Sequence, residues 1–121
     1  MDRRDAQKQT QLAFENKAAG LLGLARRAGY LVRGEELCKK QLKQGHGIVI
    51  IMSADTAARS QAKIEPIIEA KGVPVIPWTS KEKLGKLCGW SETAYVLVTD
   101  PAMGEGLIDL YKQTVVSEAV V

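Results

Sequence analysis

RRAGYLVRGEELCKKQLKQGHGIVIIMSAD, residues 26–55, sets a short strand, a glycine, a lysine-bearing helix and a buried strand one after another. Tyr30, Leu31 and Val32 form the short apolar run. Gly34 follows, where the backbone must turn into a helix that starts near Glu35 and stops at Gly45. Residues 48–52, IVIIM, are apolar and mostly β-branched, and Ser53-Ala54-Asp55 closes them with a polar turn. That is the pattern of a strand buried on both faces. Strand, turn, helix and strand in this order make an α/β unit.

Upstream of this unit, Phe14, Ala18, Leu21, Leu22, Ala25 and Ala28 recur at helical spacing, and Arg26-Arg27 before Gly29 suits a helix end. A first helix is therefore predicted over about 12–28, with residues 1–15 forming an N-terminal extension or an added helical turn. Downstream, Ala62, Ile64, Ile67 and Ile68 give a helical face ending at Gly72, with Pro66 in the first turn or at a bend. Residues 73–76 read as a strand, Pro77-Trp78-Thr79 as a turn, and Thr79 with Glu82 as a capping box for a short helix ending at Gly89. Residues 95–98 form another buried strand. Leu107, Ile108, Tyr111 and Val115 mark a last amphipathic helix, and 117–121 a C-terminal tail.

The alternation implies an α/β chain folded as a three-layer α-β-α sandwich on a small mixed sheet of about four strands. Ile48, Val49, Ile50, Ile51, Val75, Val96 and Leu97 are its expected core. A chain of 121 residues with 45% hydrophobic content suits one domain, placed at 16–116. No apolar run approaches the roughly 18 residues of a membrane span, and MDRRDAQKQTQ lacks the apolar core of a signal peptide. A cytoplasmic protein is expected.

The net charge is +3, but six of the seventeen Lys and Arg (Arg26, Arg27, Arg33, Lys39, Lys40, Lys43) fall between Ala25 and Ala54 against only Glu35 and Glu36. That leaves a local +4 and −1 for everything else. Such clustering is the footprint of a phosphate-binding surface. It is equally what a solvated helix shows, since Glu35/Lys39 and Glu36/Lys40 are i,i+4 pairs and the charge order suits the helix dipole.

Cys38 and Cys88 have no CxxC spacing and His46 no ligand-type neighbour, so buried thiols and a turn histidine are expected, with no metal or cofactor. An enzyme reading rests on Pro101-Ala102-Met103-Gly104-Glu105-Gly106 as a phosphate cradle, which matches neither the Rossmann nor the P-loop spacing, and on Asp55 with Asp100 as a carboxylate pair. Helix capping is the competing role for both aspartates. An adaptor reading rests on Trp78 and Trp90 as interface anchors.

NKAAGLLGLARRAGYLVRGEEL (16–37), IVIIMSAD (48–55), KGVPV (71–75), KEKLGKLCG (81–89) and VLVTD (96–100) together make the chain resemble the ribosomal L-seven-Ae / L-thirty-e superfamily of kink-turn RNA-binding proteins, most closely its small bacterial YlxQ-type members. The resemblance spans about 16–110. It implies non-catalytic binding of structured RNA, with ribosomal RNA one candidate, by a monomer that takes no small-molecule substrate. By the family pattern Gly34 lets the backbone approach RNA, Glu35 and Glu36 follow at the base-reading positions, and Lys40 meets phosphate one turn on. Ser91, Glu92, Thr93 and Ala94 form a second loop against a bulged base. Arg33, Lys39 and Lys43 complete the expected surface. Many kink-turn binders carry Asn-Glu where this chain has Glu36-Leu37, and Leu37 cannot hydrogen-bond to a base edge.

Overall fold

The computed structural model describes residues 3–120, with side chains described for 4–114. Its elements run α1 (Arg3–Arg27), β1 (Leu31–Arg33), α2 (Glu35–Lys43), β2 (Val49–Ser53), α3 (Ala58–Lys71), β3 (Val75–Trp78), α4 (Lys81–Leu87), β4 (Tyr95–Val98) and α5 (Pro101–Val120). The strands form one mixed sheet in the order β1-β4-β2-β3, in which β4 is antiparallel to both neighbours and β2 is parallel to β3.

Alternation along the two central strands divides the core, because successive side chains point to opposite faces. Val49 and Ile51 of β2 and Val96 and Val98 of β4 face one side, with Phe14, Ala18 and Leu22 of α1, Leu84 of α4 and Leu107 of α5. Ile50, Tyr95 and Leu97 face the other, with Cys38 and Leu42 of α2 and Ile64 and Ile68 of α3. Hence three layers arise from two apolar faces of one sheet.

Several expectations shift in position. The first helix begins at Arg3, so the polar segment before Glu15 is several turns of helix rather than one. It is fastened there: the Gln11 side-chain amide donates to Glu15 at 2.8 Å and to the Pro77 carbonyl at 3.0 Å. The third strand covers 75–78 and not 73–76, so Pro77 and Trp78 are strand and not turn. Prolines fit because β3 is an edge strand, where ladder donors are not all required. Trp78 is buried edge-on against Phe14, with ring centres 5.9 Å apart, whereas Val75 points outward at 38% exposure and Ile48 is only partly buried. Those two therefore leave the predicted core.

The cap of α4 is Ser80, whose hydroxyl accepts from the Lys83 N–H at 3.1 Å. Thr79 instead gives its hydroxyl and its N–H to Glu15, a buried carboxylate on α1. Pro66 lies within α3 and not in its first turn. The segment 101–106 is the start of α5 and no loop, and Gly104 is there for packing: a Cβ would come 2.6 Å from Ile48 Cβ. Val115, expected on the apolar face of α5, and the tail at 117–121 lie outside the residues whose side chains are described.

Candidate nucleic-acid interface

Pairing of β1 with β4 builds the site. Arg33 stands opposite Val96, and the next N–H, that of Gly34, donates to the Tyr95 carbonyl at 3.1 Å. The turn leaving β1 and the loop entering β4 thus emerge side by side at one end of the sheet. Gly34 sits at φ 90°, ψ 158°, a region that only glycine occupies without strain, and its carbonyl accepts from the Cys38 N–H at 3.0 Å to open α2. The sequence signal at Gly34 is therefore a backbone requirement.

The first turn of α2 is held by a polar chain across three elements. Glu35 accepts the Ser60 hydroxyl and pairs with Lys39 at 3.2 Å. The Ser60 oxygen lies 2.8 Å from the Tyr95 hydroxyl, which serves as the donor because the Ser60 proton is already given to Glu35. Lys39 also pairs with Glu36 at 2.9 Å. The Ser60 hydrogen bond, followed by that of Lys39, holds the Glu35 carboxyl below its ordinary 4.5, while Glu36 and then Glu35 raise the Lys39 ammonium.

The second loop, 88–94, is tied to β1 by a single side chain. Arg33 donates through Nε to the Thr93 hydroxyl at 3.1 Å and through a terminal nitrogen to the Ser91 hydroxyl. Buried Thr93 in turn donates its hydroxyl to the Ser91 carbonyl at 2.9 Å and its N–H to the Lys81 carbonyl at 3.0 Å. The loop then crosses directly over α4, where a Cβ on Gly85 would come 1.9 Å from the Ser91 carbonyl oxygen. Glycine inside a helix costs roughly 1 kcal/mol relative to alanine; here it is what allows the loop to lie flat. Half-buried Trp90 presents its ring to two guanidiniums, Arg26 at 5.2 Å and Arg33 at 5.3 Å.

Of the sequence-predicted residues, Arg33, Gly34, Glu35, Ser91, Thr93 and Ala94 converge at this end, and Glu92 is exposed on the same loop. The cations divide. Arg33 is used to tie the loops, and Lys39 is neutralised by two carboxylates. Lys40 and Lys43 are exposed and belong to no ion pair among the described residues, so the expected Glu36/Lys40 pair is replaced by Glu36/Lys39. Glu36 keeps 83% of its side chain exposed, and Leu37 is 56% exposed, so neither serves the core. Sequence reading passed over Ser60, Tyr95 and Gly85. Gly85 alone left a signal, as a glycine within a helical pattern.

The features behind the enzyme and metal readings do not come together in one site among the described residues. Asp55 and Asp100 each follow the end of one of two antiparallel strands, which places them at opposite ends of the sheet. Asp55 accepts the Lys81 N–H at 2.9 Å and Asp100 the Met103 N–H at 3.0 Å, so both cap, although Asp55 caps α4 rather than the helix that follows it in sequence. Burial pushes the Cys38 thiol to about 12 and raises that of Cys88, and His46 is exposed with Nδ1 2.8 Å from the Gln41 side-chain oxygen. Among the described residues no three His, Cys, Asp or Glu gather to hold a metal ion, and no helix is long and apolar enough to cross a membrane.

Fold and site together define a small α-β-α sandwich that presents a glycine turn and a tied loop at one end of a mixed sheet. Residues 16–105 match the model of the Ribosomal protein L7Ae/L30e/S12e/Gadd45 family, and the chain belongs to that family. It is 30% identical over 90 residues to the RNA-binding protein YlxQ of Bacillus subtilis (strain 168), a match covering 74% of this chain and 90% of that protein. Among solved structures it resembles a protein of unknown function from Bacillus halodurans C, with TM-score 0.75 and 29% identity over 79% of this chain and 97% of the other. The 15.5kD RNA binding protein of Giardia lamblia shares the fold, with TM-score 0.70 and 24% identity over 90% of this chain and 91% of the other.

Proposed function

We propose that this chain binds structured RNA without catalysing a reaction on it, using the β1–α2 turn and the 91–94 loop as one surface. The observation that carries the reading is the Arg33 tie, which holds the two loops together on neutral hydroxyls, while Lys40 and Lys43 farther along α2 form no ion pair among the described residues. RNA-binding relatives in the same family support it. Phosphate contacts fix position, and base edges supply discrimination. Lys40 and Lys43 provide the former. Glu36 and Leu37, where many kink-turn binders carry Asn-Glu, offer an acceptor already shared with Lys39 and an alkyl group, so binding to a kink-turn is relaxed in specificity. Ribosomal RNA is one target of suitable structure, reached in the cytoplasm.

Equilibrium titration of a kink-turn RNA and of its G·A-disrupted form tests this. The wild type should bind both, with a difference below about a hundredfold, roughly 2.7 kcal/mol. Replacing Glu36→Asn with Leu37→Glu should widen the difference, on the scale of about 1 to 3 kcal/mol for one good base contact in the DNA case. Because Leu37 is exposed, the double variant should fold as the wild type does. No binding to either RNA would overturn the reading.

A further inference from the structure

Arg26 lies at the end of α1, outside both loops, yet its guanidinium shares the Trp90 ring with Arg33. The two guanidinium carbons are therefore no farther apart than their two ring distances together. Neither is neutralised. Arg33 donates to the hydroxyls of Thr93 and Ser91, and among the described residues no carboxylate lies within ion-pair distance of either arginine. Like charges held this close repel, by on the order of 1 kcal/mol or less in water and more where solvent is thinned by an aromatic wall. Stacking on an aromatic face offsets part of that and fixes the planes of the guanidiniums. Arg26 is an exposed residue, and its guanidinium lies beside Gly89, where an added Cβ would come 2.9 Å from a terminal nitrogen. A planar donor, held in place, carrying unneutralised charge beside a second cation, is suited to a phosphodiester oxygen pair.

We propose that Arg26, held against Trp90, is a further phosphate-binding residue that carries the RNA surface from the 91–94 loop onto the end of α1, where one backbone phosphate docks against it. This rests on the RNA-binding function proposed above and deepens it. Trp90 positions the arginine rather than stacking a base, since the core takes part of its surface and the arginines lie over its ring. The RNA then crosses from Lys40 and Lys43 on α2, past Gly34, to Arg26 on the far side of the second loop.

The test measures the salt dependence of binding of the full chain to a kink-turn RNA and to an unstructured oligouridylate. Arg26→Gln should weaken kink-turn binding several-fold near physiological salt and lower the slope of log affinity on log salt by about one unit, as expected for one phosphate contact. Arg26→Lys should restore most of the slope, because the charge remains. Trp90→Leu, which keeps both charges but releases the guanidiniums from the ring, should weaken kink-turn binding while leaving most of the slope, with unfolding monitored so that a loss of fold is read separately. A folded Arg26→Gln variant with unchanged slope, while Lys40→Gln lowers it, would overturn this assignment and leave the proposed function standing. If wild type shows no preference for the kink-turn over oligouridylate but Arg26→Gln still lowers the slope, the phosphate contact stands and the structured-RNA reading falls. Absence of binding to either RNA overturns both.

Discussion

The two loops of the proposed interface are held in place by different means. The β1–α2 turn is short and set by backbone: Gly34 takes a glycine-only conformation and its own N–H and carbonyl join β4 and α2. The 91–94 loop is set by side chains, by Arg33 from β1, by its own buried Thr93 hydroxyl and by the missing side chain at Gly85. A turn of the first kind is written in one residue. A loop of the second kind depends on residues far apart in sequence, so a change at either partner moves it.

That contrast can be broken most forcefully at Gly85. Gly85→Ala puts a methyl group against the Ser91 backbone, and overpacking of this kind costs about 1–3 kcal/mol. Thermal unfolding should register that cost, and RNA affinity should drop tenfold or more because the loop is lifted from Arg33. Gly34→Ala comes next. No atom lies within 4 Å of its added methyl group, so the cost is backbone strain alone, of about 1–3 kcal/mol, and the RNA loss should come with a displaced first turn of α2 visible in amide spectra.

A smaller and purely electrostatic effect sharpens the division among the lysines. Lys40→Ala with Lys43→Ala should leave stability within experimental scatter and lower the salt slope of RNA binding by about two units, whereas Lys39→Ala should change the slope little, its charge being matched by Glu35 and Glu36. The least effect is pH-dependent. Glu35 has its carboxyl lowered in the folded chain by Ser60 and then Lys39, so its contribution to stability is full above the unfolded value near 4.5 and is lost as pH falls through the lower folded value. Acid unfolding curves of Ser60→Ala should show that part of the slope below pH 4.5 reduced.

Sequence patterning carried the architecture because two central strands are apolar on both faces and the helices between them end at glycines. It located the glycine turn, since Gly34 follows a strand and precedes a charged helix, and it located the second loop only through resemblance. It misplaced β3 by two residues, because Pro77 read as a turn signal although an edge strand tolerates it. Thr79 looked like a cap for the same local reason, while Glu15, sixty-four residues away, claims its hydroxyl. Arg33 read as a phosphate ligand by charge alone. Its role as a tie depends on Ser91 and Thr93, partners that no local window contains.

Amide chemical-shift mapping during titration with a kink-turn RNA tests most directly whether the two loops act as one surface. Shifts should appear together at Gly34, Lys40, Ser91, Thr93 and Ala94, with the Trp90 indole N–H among them, and leave Gly47, Ile48 and Thr99 at the opposite end of the sheet unmoved. Shifts at only one of the two loops, or centred on that opposite end, would contradict the account.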